Sequence, residues 1–476
     1  MTRRFSVYLL VIAAAVIAIA GLIHLGAARL PTQGVNAVAG TAKPTDAFAQ
    51  MLANARLPLP RLILQLVVIV FVARVFGYVA RRVGQTPVIG EIAAGVLLGP
   101  SLLGWVAPDA SRFLFPIASM PILQLLSQIG VLLFMFVIGV ELEPAYLRGK
   151  AHAAIAVSHF SIVIPFVLGV ALSLSLYARY APPGVPFHAF ALFCGIAMSI
   201  TAFPVLARIL EERQLTHTLL GTTAITCAAV DDVTAWSILA FVVAITTAGG
   251  AMETLLAIVA LGVTFVLLMI FVCRPLLQRL LDPHRIGDSL SKEHVAIVLL
   301  VLLSSALVTE IIGIHALFGA FVAGVIMPVG GTFRAALRTR LESVSSVFLL
   351  PLFFVYTGLR TQIGLLDDVA SWAICLVIIV VATSGKLGGT LLAARWTGLS
   401  WRDSVALGAL MNTRGLMELI ALNVGYDLGI LTPEIFSMMV LMALVTTAMT
   451  GPLVSLSFSW GRGRSLAPAG PMARSS

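Results

Sequence analysis

The feature that most constrains this chain is the recurrence of apolar runs of about 20 residues, separated by short polar connectors. Each run matches the hydrocarbon core of a bilayer, about 30 Å thick, where a spanning backbone must satisfy its own polar groups. Composition agrees: of 476 residues 59% are apolar and 11% charged, with a mean hydropathy of +1.04. A soluble domain carries roughly 25% charged residues to cover its surface, so this chain is short of solvated groups. The expected fold class is an all-α polytopic membrane protein; disorder, coiled coil and a disulfide scaffold are excluded.

Thirteen spans are expected, near residues 62–80, 87–107, 120–140, 153–178, 187–208, 218–244, 254–273, 294–312, 315–329, 345–360, 370–394, 404–424 and 435–458. Before them, Arg3 and Arg4 precede an apolar run from Phe5 to Ile23, so residues 1–30 read as a signal anchor or signal peptide. Residues 31–61, with Pro31, Pro44, Pro58 and Pro60, read as an exposed linker, and 459–476 as a short cytoplasmic tail. The transmembrane domain therefore occupies 62–458. No strand–GxGxxG–helix pattern follows it, so no nucleotide-binding regulatory domain is expected there.

The net charge of +9 lies in the connectors, which is an orientation signal and not a nucleic-acid stripe. Eighteen basic residues, from Arg81 and Arg82 to Arg474, fall on one side, against three (Arg112, Arg179 and Arg360) on the short connectors of the other. That ratio puts the C-terminus in the cytoplasm of a multi-pass cell-membrane protein. Cys194, Cys227, Cys273 and Cys375 lie in or beside apolar spans without a CxxC, so they read as small buried hydrophobes. No disulfide, resident metal or cofactor is expected.

The chain repeats itself. Val88–Leu98 (VIGEIAAGVLL) aligns without gaps on Leu317–Met327 (LFGAFVAGVIM), with both glycines and the Ala-Gly-Val core coincident. The two stretches lie in the second and ninth spans. An odd separation makes the copies cross in opposite directions, which predicts inverted six-helix repeats of the kind found in secondary transporters. Two further spans, again seven apart, look broken. Ser199, Thr201 and Pro204 interrupt the fifth, and Asn412, Thr413, Arg414 and Gly415 the twelfth. Matched interrupted helices are the best sequence pointer to a midplane ion site, with proline removing a backbone hydrogen bond and the hydroxyls offering replacement oxygens.

A charge at the bilayer centre costs about 2.5–3.5 kcal/mol on insertion scales, so each intramembrane charge needs a reason. The candidates are Glu91, Asp231, Asp232, Glu310, Lys386, Arg414 and Glu418. Adjacent helical residues point about 100° apart, so Asp231 and Asp232 serve different partners. One acid paired with Lys386 leaves the other for a mobile ion. A buried unpaired carboxylate holds a proton or a dehydrated cation but hardly both, and that competition is exchange. The bland alternative is an Asp–Lys bridge that only holds helices together. Arg414 and Glu418, spaced i, i+4, can pair on one face, and the arginine can offset the carbonyl end of a broken helix. Glu91 and Glu310 read as structural or gating groups, and His217 and His315 as interfacial ones.

Thr86–Pro100 (TPVIGEIAAGVLLGP), Ile200–Leu210 (ITAFPVLARIL) and Leu410–Asn423 (LMNTRGLMELIALN) resemble the monovalent cation:proton antiporter-2 family, nearest its plant cation/proton exchanger branch. The resemblance covers residues 60–458. It implies a homodimer in which core helices (about 120–244 and 370–458) move against dimerisation helices (about 62–107 and 294–360) in an elevator-like cycle. It implies Asp232 as the cation and proton site, Asp231 as the partner of Lys386, and Thr201 and Thr413 in two unwound crossing segments. Two core acids with Lys386 favour an electrogenic cycle of two protons per cation.

The expected function is secondary active antiport of Na⁺ and/or K⁺ against H⁺ in a lipid bilayer, without enzymatic chemistry. The rivals are proton-coupled antiport of a non-metal solute and a non-transporting membrane sensor of the same fold.

Overall fold

A helix closes its backbone hydrogen bonds within one segment, and the described residues fold almost wholly into helices. The structure, a computed structural model, describes residues 54, 57–141, 151–215, 218–247, 251–281, 291–328 and 331–459. The N-terminal segment, most of the linker, His217 and the tail from residue 460 lie outside the described residues.

In chain order the elements are α1 (Pro58–Arg82), α2 (Pro87–Leu98), α3 (Met120–Glu141), α4 (Ala151–Tyr180) and α5 (Phe187–Ser199). After a break come α6 (Phe203–Glu212), α7 (Leu219–Thr247) and α8 (Met252–Leu280, with a π-helical turn over Met269–Cys273). Next are α9 (Lys292–Ile312), α10 (Ala316–Val325), the amphipathic α11 (Gly331–Val344), α12 (Leu350–Arg360) and α13 (Val369–Trp396). The described residues end with the bent pair α14 (Trp401–Met411) and α15 (Leu416–Asp427), and with α16 (Pro433–Ser459).

Among the described residues ten helices are long and apolar enough to cross a membrane, or eleven with the α14–α15 pair, which bends by 43°. This differs from the thirteen expected spans. The expected segments 187–208 and 315–329 fall on short apolar helices, α5 and α10, and 404–424 falls on the bent pair. Apolar pattern runs almost unbroken through Ile200–Ala202, yet the backbone leaves the helix there, so the sequence overstates the continuous length.

Local signals set several ends. Thr86 precedes Pro87 at the first position of α2, where a missing N–H is harmless. Asp368 accepts the Ser371 N–H at 2.7 Å to start α13, and the Ser400 hydroxyl accepts the Asp403 N–H at 3.1 Å to start α14.

Helices α4, α5, α7, α13 and α14 pack on one another, with α4 touching α5, α7 and α13. A second set joins α1 to α2, α2 to α12, α9 to α10, and α3 to both α10 and α12. Residues 120–141 (α3), expected among the core helices, thus pack on the second set. Glycine decides this contact: a Cβ on Gly139 would lie 2.3 Å from the Phe321 carbonyl oxygen of α10. Small residues let membrane helices approach closely, and lipid-like side chains offer no such preference.

The glycines of the repeated stretch make matching contacts. Gly90 and Gly319 lie against the preceding helix, where a Cβ would meet Phe76 O at 2.2 Å and Ser305 O at 2.3 Å. Gly95 and Gly324 lie against α12 and α3, with Val355 O at 2.3 Å and Phe136 O at 2.1 Å. Each copy therefore clasps the helix before it and the third helix of the other copy.

This packing predicts that Gly95→Val destabilises the protein by about 1–3 kcal/mol or more, because the contact is backbone and cannot yield. Gly388→Val, whose Cβ would meet nothing within 4 Å, is expected to leave stability unchanged. Thermal unfolding of both purified variants in detergent checks the contrast.

Candidate functional site

Two interruptions meet in the protein interior. The amide of Ala202 donates to Thr413 O at 3.0 Å, and the Thr201 hydroxyl lies 3.1 Å from Met411 O, so the broken α5–α6 and α14–α15 segments touch through their unwound residues. A helix that stops inside an apolar layer leaves its last carbonyls orphaned. Here all four at the end of α5 are taken. The Ser199 hydroxyl donates to Ile196 O at 3.0 Å, Arg414 donates to Ala197 O at 2.8 Å and to Met198 O at 2.5 Å, and Lys386 donates to Ser199 O at 2.5 Å. At the second break the Arg414 amide and carbonyl both bond the Thr447 hydroxyl of α16, at 3.0 and 2.7 Å.

Lys386, on α13, and Asp231, on α7, form an ion pair at 3.0 Å with both side chains fully buried. The pair sits in a hydroxyl cradle. Ser158 donates to Asp231 Oδ1 at 2.5 Å, Ser161 to Oδ2 at 3.0 Å, and Thr201 lies 2.6 Å from Oδ2. Ser161 in turn accepts from Lys386 Nζ at 3.0 Å. Asp231 is thus saturated as an acceptor.

Asp232 differs completely. It is 1% exposed, and neither carboxylate oxygen has a hydrogen-bond partner. The Phe203 N–H at the start of α6 faces it without closing a bond of ordinary geometry, and so places the positive end of a half-helix toward the acid. The helical turn of about 100° between neighbours separates the two acids' fates.

Arg414 also pairs with Glu418 at 3.2 Å, both fully buried, while Glu418 Oε1 has no partner. The arginine therefore plays both roles open to it in the sequence, pairing with Glu418 and capping α5. Asn412 ends α14, its Nδ2 reaching Thr446 O at 3.4 Å while Oδ1 has no partner. The Thr413 hydroxyl reaches Thr450 of α16 at 3.4 Å, so its carbonyl, not its side chain, faces the crossing. Pro204 is the second residue of α6 and not an interior kink; the break precedes it at Ile200–Ala202, where a missing N–H removes nothing.

Two candidates lie elsewhere. Glu91 is buried on α2 against α1, and Glu310 accepts the Ala316 N–H at 2.7 Å to cap α10. Ser158 and Ser161 were not singled out from the sequence. Their i, i+3 spacing in an apolar span puts both on one face, and that was the available signal.

Two broken helices that cross at a buried cluster of charges define a secondary-transporter fold. The family described as "Sodium/hydrogen exchanger, transmembrane" matches residues 67–460, and the chain belongs to it. It is 45% identical over 393 residues to the Na(+)/H(+) antiporter NhaS4 of Synechocystis, covering 82% of this chain and 95% of that one. Cation/H(+) antiporter 17 of Arabidopsis thaliana is 41% identical over 85% of this chain, and K(+)/H(+) antiporter 1 of Saccharomyces cerevisiae 31% over 85%. The chain spans about half the length of those two, 49% and 47%. The sodium proton antiporter MjNhaP1 of Methanocaldococcus jannaschii shares the fold, with a TM-score of 0.54 at 15% identity over 85% of this chain and 97% of that one.

Removing one member of a buried ion pair leaves an uncompensated charge, a loss of about 3–5 kcal/mol. Lys386→Met is therefore expected to lower the melting temperature sharply, and the double variant Lys386→Met/Asp231→Asn to recover much of it. Thermal unfolding of the single and double variants in detergent is the check.

Proposed function

We propose that this protein is a secondary active antiporter that exchanges a monovalent cation, Na⁺ and/or K⁺, for protons, with both competing for Asp232. One observation carries this reading: Asp232 is the acid in the buried cluster that no ion pair or side-chain hydrogen bond compensates. Lys386 and Arg414 are paired one to one with Asp231 and Glu418, the acids they touch. Asp232 then adds one negative charge in surroundings where an unpaired charge is expensive. A proton or a single alkali cation neutralises it, and the two cannot do so together.

The relatives' names support the substrate class, since they carry Na⁺ in Synechocystis and K⁺ in yeast. Asp231 and Lys386 hold the site's geometry, with Ser199, Thr201, Pro204, Asn412, Thr413, Arg414 and Glu418 building and stabilising the crossing. In this reading α4–α7 and α13–α16 move as the core against a scaffold of α1–α3 and α9–α12 in an elevator-like cycle, and two copies pair through the scaffold. The protein lies in the cell membrane with its tail in the cytoplasm, as the basic connectors indicate.

The test uses purified protein in proteoliposomes with an imposed pH gradient and an internal pH dye. Addition of Na⁺, K⁺ or Li⁺ is expected to collapse the gradient, and the order of response names the cation. Asp232→Asn is expected to abolish the response while leaving the melting temperature equal to wild type or higher, since it removes an uncompensated charge. No alkali-cation response from the wild type would overturn the assignment.

A further inference from the structure

We infer that His315 is the gate of the path by which a monovalent cation reaches Asp232 from the outer side, an inference that rests on the antiport reading above.

Two cavities carry it. The first, about 350 Å³ of free space open to the surface, lies where α3, α12 and α15 meet the α9–α10 connector. Gln124, Gln128, Tyr356, Asn423 and Asp427 line it together with His315, so polar side chains stand beside apolar ones at this mouth. The second, about 220 Å³, is lined by Trp236, Leu239, Ala240, Ile314, Phe318 and the same His315. Trp236 lies one helical turn from Asp232 on the same face of α7, and its buried Nε1 has no partner. The imidazole is therefore the polar side chain shared by the outer cavity and a smaller, less open apolar one that ends at the ion site's own helix. Arg112, Arg179 and Arg360, the sparse basic residues of the proposed outer side, lie at this end of the spans.

The backbone holds His315 there at a cost. Its φ is 88°, in the region that favours glycine. Its Nδ1 accepts the Leu317 N–H at 3.4 Å, capping α10, while Glu310 takes the neighbouring Ala316 N–H. With Nδ1 accepting, the neutral ring carries its proton on Nε2. A residue kept in a sparsely populated conformation by two caps, between two cavities, is placed by the surrounding structure and not by local preference.

The test measures access directly and not through transport. A cysteine-free background replaces Cys194, Cys227, Cys273 and Cys375, and a single cysteine is then placed in the outer cavity (Gln128→Cys) or the inner one (Ala240→Cys). Ag⁺, a thiol-reactive monovalent cation, is added outside right-side-out vesicles, and blocked thiols are counted by later maleimide labelling of denatured protein. His315→Asn removes the ring yet keeps a side-chain oxygen for the cap; His315→Ala removes both ring and cap.

Both variants are expected to speed Ag⁺ modification at position 240 by about tenfold or more, a barrier drop of about 1.4 kcal/mol. The rate at position 128 is expected to stay unchanged. Acceleration in His315→Ala alone would assign the effect to lost capping and overturn the gate. So would equal rates at position 240 in all three backgrounds, or no reaction there from outside in any of them. Gradient collapse by Na⁺ or K⁺ in the same cysteine-free protein reads the antiport assignment separately, so a failed gate and a failed antiporter give different results.

Discussion

Lys386 ties the polar centre of this protein together, and the rest of the site depends on that contact. Its ammonium touches the Ser161 hydroxyl of α4, the Asp231 carboxylate of α7 and the Ser199 carbonyl at the end of α5, so one side chain joins three elements. An ion pair deep in an apolar layer holds only if its remaining donors and acceptors are also met, because desolvation otherwise exceeds the Coulombic gain. The two serines and Thr201 supply that remainder around Asp231. Once Asp231 is saturated in this way, helical pitch alone turns Asp232 toward other surroundings.

The broken helices follow the same accounting. Interrupting a helix inside a membrane exposes carbonyls that each cost several kcal/mol if left alone. Serine, lysine and arginine take all four at the end of α5, and the unwound segments bond each other through Ala202 and Thr413. Thr201 adds a nuance. Its one hydroxyl proton faces two acceptors, Asp231 Oδ2 and Met411 O, and can serve only one at a time. The link between α7 and α14 therefore has two settings of its hydrogen bond, beside the group proposed to exchange its ion.

Much of this was legible because the bilayer makes charge conspicuous. Asp231, Asp232, Lys386, Arg414 and Glu418 stand out in apolar spans, and the structure gathers them around the crossing, with Asp231 on Lys386 and Asp232 apart. What was not legible has physical causes. Serines in membrane helices often bond their own backbone, so the shared face of Ser158 and Ser161 did not say that they serve an acid on another helix. Thr413 sits in the expected unwound segment, but residue type does not say whether carbonyl or hydroxyl faces inward. Pro204 marked the right span and the wrong residue, since proline is as much at home starting a helix as kinking one. The expected spans at the two breaks resolve into short or bent helices, and the place of α3 was set by glycine contacts whose partners only the fold reveals.

Both helix sets are packed through glycine: within the first, a Cβ on Gly169 or Gly389 would lie 2.9 Å from a carbonyl oxygen of α5 or α4, as those of the second set meet their neighbours. The first set adds the buried charges and hydroxyls, which must travel together if they travel at all, and that bears on the proposed movement. Between α12 and α15 the contacts are polar and lie toward one end: Asn423 donates to the Thr357 hydroxyl at 2.9 Å, and Arg360 reaches Asn423 at 2.9 Å and also pairs with Asp427. Arg360 is further stacked between Tyr356 and Tyr426, at 4.8 and 4.7 Å. The Arg360 bonds, which are partly exposed, can exchange for water at small net cost, which buried glycine contacts and the Lys386 cluster cannot. A sliding core would part from its scaffold here first, beside the same outer cavity that His315 separates from the chamber leading to α7.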